Sequence, residues 1–140
     1  MATYSTKVTA TGGRAGHIRS DDGLLDMPLA LPKEMGGPGD ATNPEQLFAA
    51  GYAACFENAI LAAAQRQKVV LGDDTLMVTA EVGIGPNGAG GFGLSVALDV
   101  VFKGVDEERA RELTDKAHAI CPYSNAVRGN IDVVISVTPN

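Results

Sequence analysis

Asn43-Pro44-Glu45-Gln46-Leu47-Phe48-Ala49-Ala50-Gly51-Tyr52-Ala53-Ala54-Cys55-Phe56 is the stretch on which the fold turns. Asn43 is a residue type that caps helices, Pro44 suits the first helical position because its missing N–H would lack a partner there, and Glu45 complements the positive end of the helix dipole. From Leu47 to Ala64 nearly every face is apolar, and the polar tail Gln65-Arg66-Gln67-Lys68 suits an exit. The spacing predicts one long central helix over residues 43–67. A helix that is hydrophobic all round has to be covered on all sides, and a chain of 140 residues has little material with which to do so. An oligomer whose subunits cover one another's central helix is the expected solution.

Upstream, Tyr4, Thr6, Val8 and Ala10 alternate with Thr3, Ser5, Lys7 and Thr9, and Leu25, Met27, Leu29 and Leu31 repeat the period of two. Turn-rich stretches, Thr11-Gly12-Gly13-Arg14-Ala15-Gly16 and Ser20-Asp21-Asp22-Gly23, separate these runs. An antiparallel meander over residues 1–31 is expected. Residues 32–42 follow, so rich in glycine and proline that they sustain neither helix nor central strand, and read as a loop that can serve as a flap.

Downstream, residues 75–103 alternate on both sides of Pro86-Asn87-Gly88-Ala89-Gly90-Gly91, the pattern of a long antiparallel hairpin. Asp106 can cap an amphipathic helix over residues 106–120, with Ala110, Leu113 and Ala117 on its apolar side. Cys121 follows at once, then a short helical segment from Tyr123 to Arg128, then a closing strand over residues 130–138 carrying Ile131, Val133, Ile135 and Val137. No repeat and no linker divides the chain, so residues 1–140 read as one α+β domain.

Composition narrows the function classes. The formal charge of −6 and the lack of a basic cluster argue against nucleic acid or an anionic membrane surface as partner. No apolar stretch runs for the roughly 20 residues of a membrane span without polar interruption. Nothing near Met1 resembles a signal peptide, which makes the cytoplasm the expected compartment. Thiols there are kept reduced, so two cysteines are read as transient redox partners, metal ligands or core rather than a permanent staple.

Three short patterns carry less than their letters suggest. Gly83-Ile84-Gly85-Pro86-Asn87-Gly88 fits G-x-G-x-x-G, but a strand rather than a helix follows, so it reads as a hairpin turn and no dinucleotide cofactor is expected. Cys121-Pro122-Tyr123-Ser124 has the spelling of a glutaredoxin-type site in the wrong place along the chain. His118, Cys121 and Cys55 lack the paired spacing of a zinc site, so no metal is expected; His118 reads as a surface histidine and His17 as a strand residue.

The two cysteines differ in setting, and that difference is the most direct clue to chemistry. Cys55 lies inside the apolar helix, where a lone thiol is ordinarily inert packing, whereas Cys121 lies at a helix-to-loop junction. One sulfur can then react while the other resolves it as a disulfide. An apolar setting raises a thiol's pKa, so reactivity at Cys55 requires a nearby cation. The helix offers none before Arg66. Arg14, flanked by Gly12, Gly13 and Gly16 in a turn, is the best candidate.

Three segments together, Gly12 to Gly16, Asn43 to Phe56, and Cys121-Pro122-Tyr123-Ser124-Asn125-Ala126-Val127-Arg128-Gly129-Asn130-Ile131-Asp132-Val133, resemble the organic hydroperoxide resistance proteins. These are the thiol peroxidase branch of the osmotically inducible protein superfamily. The resemblance runs through essentially the whole chain in order. It implies a cytoplasmic homodimer of α+β subunits, with antiparallel sheets wrapped around long central helices and two sites at the subunit boundary. It further implies Cys55 as the peroxidatic cysteine, Cys121 as the resolving one, Arg14 as the activating arginine and Glu45 as the carboxylate that holds it. The substrate would be an alkyl or lipid hydroperoxide, favoured by Phe48, Tyr52, Phe56 and Ile60, and the reductant a dithiol on a lipoylated protein. A non-enzymatic redox sensor and a ligand-binding dimer stay open as alternatives. Glu45 and Cys55 are ten residues apart on one expected helix, about 15 Å along its axis, so a shared site needs Glu45 from the partner subunit or an Arg14 that spans the gap.

Overall fold

A computed structural model describes residues 1–72 and 74–139. Contacts divide the chain into two units, Met1–Leu47 and Phe48–Asn140, with the boundary inside the first turns of the central helix. The helix is continuous across it, which is why no linker marks the division in the sequence.

The first unit is built on a three-stranded antiparallel sheet of β1 (Val8–Thr11), β2 (His17–Ser20) and β3 (Asp26–Pro28), in that order. Register runs Val8↔Ser20 and Thr11↔His17 on one side of β2, and His17↔Pro28 on the other. The expected strand at Tyr4 and Thr6 does not form: pairing starts at Val8, and Tyr4 is exposed. Between β1 and β2 the chain makes a 3-10 turn, Gly13–Ala15, entered through Gly12 at φ 78°. Gly16 closes the turn so tightly that a Cβ there would fall 1.8 Å from the Thr11 carbonyl oxygen. Residues 32–42 are more ordered than a plain flap. Met35, Gly37 and Gly39 donate backbone hydrogen bonds to Pro32, Pro32 and Leu31, and Ala30 donates to Thr42, so the loop's base is closed.

The central helix, α1, spans Pro44–Arg66. Asn43 Oδ1 accepts from the Gln46 backbone N–H at 2.9 Å, the cap expected from its side chain. By length and composition α1 could cross a membrane, with a mean hydropathy of 1.4 over its most apolar window. Its buried residues, Tyr52, Phe56, Ala59, Ile60, Ala63 and Ala64, instead belong to the core cluster of the second unit.

That unit adds β4 (Leu76–Pro86), β5 (Phe92–Phe102), α2 (Glu107–Ile120), α3 (Pro122–Val127) and β6 (Val134–Pro139). β4 and β5 form the expected hairpin, with Leu76 opposite Phe102 and Pro86 opposite Phe92. Of the G-x-G-x-x-G letters, Gly83 to Pro86 form the end of β4, paired with Ser95 to Phe92, and only Asn87 and Gly88 enter the turn. Along β5, Val96, Leu98, Val100 and Phe102 are buried at a period of two, each contributing about 1.5–3 kcal/mol of hydrophobic stabilisation. Asp106 caps α2 through the Arg109 N–H, and α2 buries Ala110, Leu113, Thr114 and Ala117, the i, i+3, i+4, i+7 stripe of an amphipathic helix. The closing strand starts at Val134 rather than residue 130 and runs parallel to β5, so this sheet is mixed rather than purely antiparallel. Parallel pairing needs a long crossover, which α2 and α3 supply. The α+β class stands.

Candidate active site

The four candidate residues come together two by two, one pair in each unit. In the first, the 3-10 turn holds Arg14 and the first turn of α1 holds Glu45. Arg14 Nη1 and Nη2 donate to the two carboxylate oxygens of Glu45 at 2.8 and 2.7 Å, a bidentate fork. The Arg14 hydrogen bond holds the Glu45 carboxyl below its usual range, and the same bond raises the guanidinium's pKa. Arg14 is thereby fixed as a permanent cation by a carboxylate of its own chain.

In the second unit the Cys121 thiol points at Cys55, Sγ to Sγ 3.8 Å, and the two are unbonded. α1 carries Cys55; Cys121 sits between α2 and α3, where its own N–H closes α2 on Ala117 and its carbonyl accepts from Asn125. Cys121 is fully buried, whereas Cys55 is partly accessible. A disulfide needs the sulfurs about 2.0 Å apart, closer than the 3.8 Å at which they stand.

Burial pushes the Cys55 thiol up, the Cys121 thiol adds to the rise, and the backbone N–H of Tyr123 opposes both. These neighbours of Cys55 therefore favour its thiol form over the thiolate. Gly51 is needed beside this pair: a Cβ there would lie 2.5 Å from the Tyr123 hydroxyl. The Tyr123 ring packs at 6.3 Å from Phe48 and 5.7 Å from Tyr52, centroid to centroid.

Tyr52, Phe56 and Ile60, expected to flank a pocket for an organic tail, are wholly enclosed in the core and line no open surface. Phe48 and Tyr123 are the partly accessible rings of that cluster. His118, expected as a surface histidine, is part-buried, with Nδ1 2.9 Å from Ser124 Oγ. Ser124, fully buried, is also 2.7 Å from the Tyr52 hydroxyl. Its partner is 72 residues away in sequence, which is why spacing alone does not single it out. Among the described residues no group of three or more His, Cys, Asp or Glu could hold a metal ion.

The OsmC-like protein family profile matches residues 37–136. An organic hydroperoxide resistance protein of Xanthomonas axonopodis pv. citri is 50% identical over 135 residues, covering 96% of this chain and 94% of its own. This chain belongs to the OsmC-like family, among the organic hydroperoxide resistance proteins. Solved OsmC-like structures agree. One from Legionella pneumophila, described as an organic hydroperoxide resistance protein, is 52% identical with a TM-score of 0.93 and covers 99% of both chains. Another such protein, from Vibrio cholerae, holds captopril in one of its active sites; it is 58% identical, with a TM-score of 0.92, over 98% of this chain and 93% of its own.

Proposed function

We propose that this OsmC-like chain is a thiol peroxidase that reduces organic hydroperoxides to alcohols and protects against oxidative stress. The observation that carries the reading is the pair of free sulfurs 3.8 Å apart, one accessible and one buried, in a chain of this family. The Cys55 thiolate attacks the distal peroxide oxygen, the O–O bond breaks, and the alkoxide takes a proton and leaves as an alcohol. Cys55 is then a sulfenic acid. Cys121 condenses with it, forming the S–S bond and releasing water. A dithiol reductant, such as a dihydrolipoyl group on a lipoylated protein, returns both thiols by exchange. A cytoplasmic setting provides such reductants. No cofactor or metal is required by these steps.

Arg14, held by Glu45, supplies the charge that keeps Cys55 ionised and orients the peroxide. The working unit is a homodimer: only 33% of the most apolar window of α1 is buried within the chain, which leaves an apolar helix face for a second copy to cover. The bidentate bond ties Arg14 to Glu45 of its own chain. Because ten helical residues cover about 15 Å, the pair serves the thiols of the partner subunit. The apolar rings Phe48 and Tyr123 favour substrates with an organic tail over hydrogen peroxide, since only the former gain burial.

Stopped-flow mixing of the reduced protein with an alkyl hydroperoxide tests this directly. Cys55→Ser is expected to abolish consumption, and Cys121→Ser to permit one oxidation but no disulfide. Full turnover by Cys55→Ser would remove Cys55 from the chemistry and leave it as packing, and no peroxide consumption by the unaltered protein would favour a binding protein instead.

A further inference from the structure

Two rungs join α1 to the segment that carries Cys121. On α1, Tyr52 and Cys55 are three residues apart and share one face; opposite them, Ser124 and Cys121 are likewise three apart. The register is crossed, so Tyr52 meets Ser124 at 2.7 Å and Cys55 meets Cys121 at 3.8 Å. The hydroxyl rung is closed at full hydrogen-bond strength while the sulfur rung stands open. Tyr52, Ser124 and Cys121 are all completely buried, so no solvent competes for the hydroxyl bonds.

Ser124 is also anchored from α2. A donor order that satisfies the chain is Tyr52 O–H to Ser124 Oγ and Ser124 O–H to Nδ1 of a neutral His118. His118 is in turn fixed from behind, its carbonyl accepting from Arg128 Nη2 at 2.6 Å. Three elements, α1, α2 and α3, thus converge on one serine hydroxyl a single turn away from the thiols. Condensation of a sulfenic acid with a thiol requires the sulfurs to close from 3.8 to about 2.0 Å along a defined line. Such positioning of reacting groups governs the rate of a step that is otherwise unassisted.

We propose that Ser124, held between Tyr52 and His118, is a positioning residue for Cys121 that sets the rate at which the Cys55 sulfenic acid closes to the disulfide. This rests on the peroxidase reading above and adds to it a residue set that leaves the first, peroxide-reducing step alone. No further reactant enters: one S–S bond forms, the S–O bond of the sulfenic acid breaks, and the thiol proton leaves in water.

The test separates the two steps by stopped flow, with a cyclic 1,3-diketone to trap sulfenic acid and mass spectrometry to count the adduct. Ser124→Ala is expected to oxidise at Cys55 within about twofold of the unaltered rate, to close the disulfide at least about tenfold more slowly, and to accumulate trapped adduct. Tyr52→Phe, a gentler change that leaves the Ser124 to His118 bond in place, is expected to slow closure in the same sense. The double variant should be no slower than the slower single one, because the two hydroxyls act as a unit. Unchanged closure in Ser124→Ala with a normal first phase overturns the proposal alone. A parallel fall of both phases also overturns it, since a loosened fold would do that. Absence of any peroxide-dependent phase in the unaltered protein overturns the peroxidase reading, and this inference with it.

Discussion

At the scale of single residues, the chemistry depends on charges placed against burial. Cys55 is pushed up by desolvation and by its neighbour thiol, while Arg14 is locked as a cation by a two-point bond to Glu45. The Glu45 carboxyl is held below its ordinary value, so the folded state releases that proton more readily than the unfolded chain. The sign follows: the pair stabilises the fold above the ordinary carboxylate range, and that contribution is lost as pH falls through the lowered folded value. Glu45→Gln is therefore expected to lower the urea midpoint at neutral pH, and the gap between variant and unaltered protein should shrink on acidification below the ordinary carboxylate range. A gap that is constant with pH would mean the pair contributes no ionic stabilisation. The tight turn that carries Arg14 is legible in the sequence from Gly12 and Gly16, which that turn requires as glycines. Ser124 is not singled out by the sequence, since its hydrogen-bond partners Tyr52 and His118 lie on two other elements.

At the scale of elements, local signals mark the ends of helices well and the partners of strands poorly. Asn43 and Asp106 both cap where a short polar side chain precedes an apolar-periodic run. The parallel placement of β6 has no such signal, because an alternating strand reads alike in either direction and only the crossover through α2 and α3 sets it. Likewise the alternation at Tyr4 and Thr6 is real, but a strand forms only where another strand is available to pair. Within α2, burial and charge predict very different costs. Leu113 is fully enclosed, so Leu113→Ala is expected to lose about 2–5 kcal/mol in urea unfolding. Arg111 and Glu107 bond at 3.0 Å but stay more than half exposed, so Arg111→Ala should cost no more than about 0.5 kcal/mol. Equal losses for the two would contradict the core assignment.

At the scale of the whole molecule, α1 is the reason to expect two copies. Its apolar length is legible in the sequence, and the structure buries only 33% of its most apolar window within the chain. If the Arg14 to Glu45 pair acts on the partner's thiols, mixed dimers give a sharp outcome. Combining a Cys55→Ser chain with an Arg14→Gln chain should restore one complete site, and thus up to about half the site activity in the mixed dimer, from two inactive parents. Recovery that stays at the sum of the parents would place the arginine and the thiols of one site in the same chain.

The central claim is that a fixed guanidinium ionises a sheltered sulfur, and a thiolate titration measures it most directly. In a Cys121→Ser background, the ultraviolet absorbance of the Cys55 thiolate is followed against pH with Arg14 intact and with Arg14→Gln. The expected result is a midpoint below the ordinary thiol range that moves up when the guanidinium is removed, with peroxide reactivity at neutral pH falling more than about tenfold, the equivalent of ~1.4 kcal/mol in the barrier. A midpoint at or above the ordinary range with Arg14 present, unmoved by its replacement, would contradict the account.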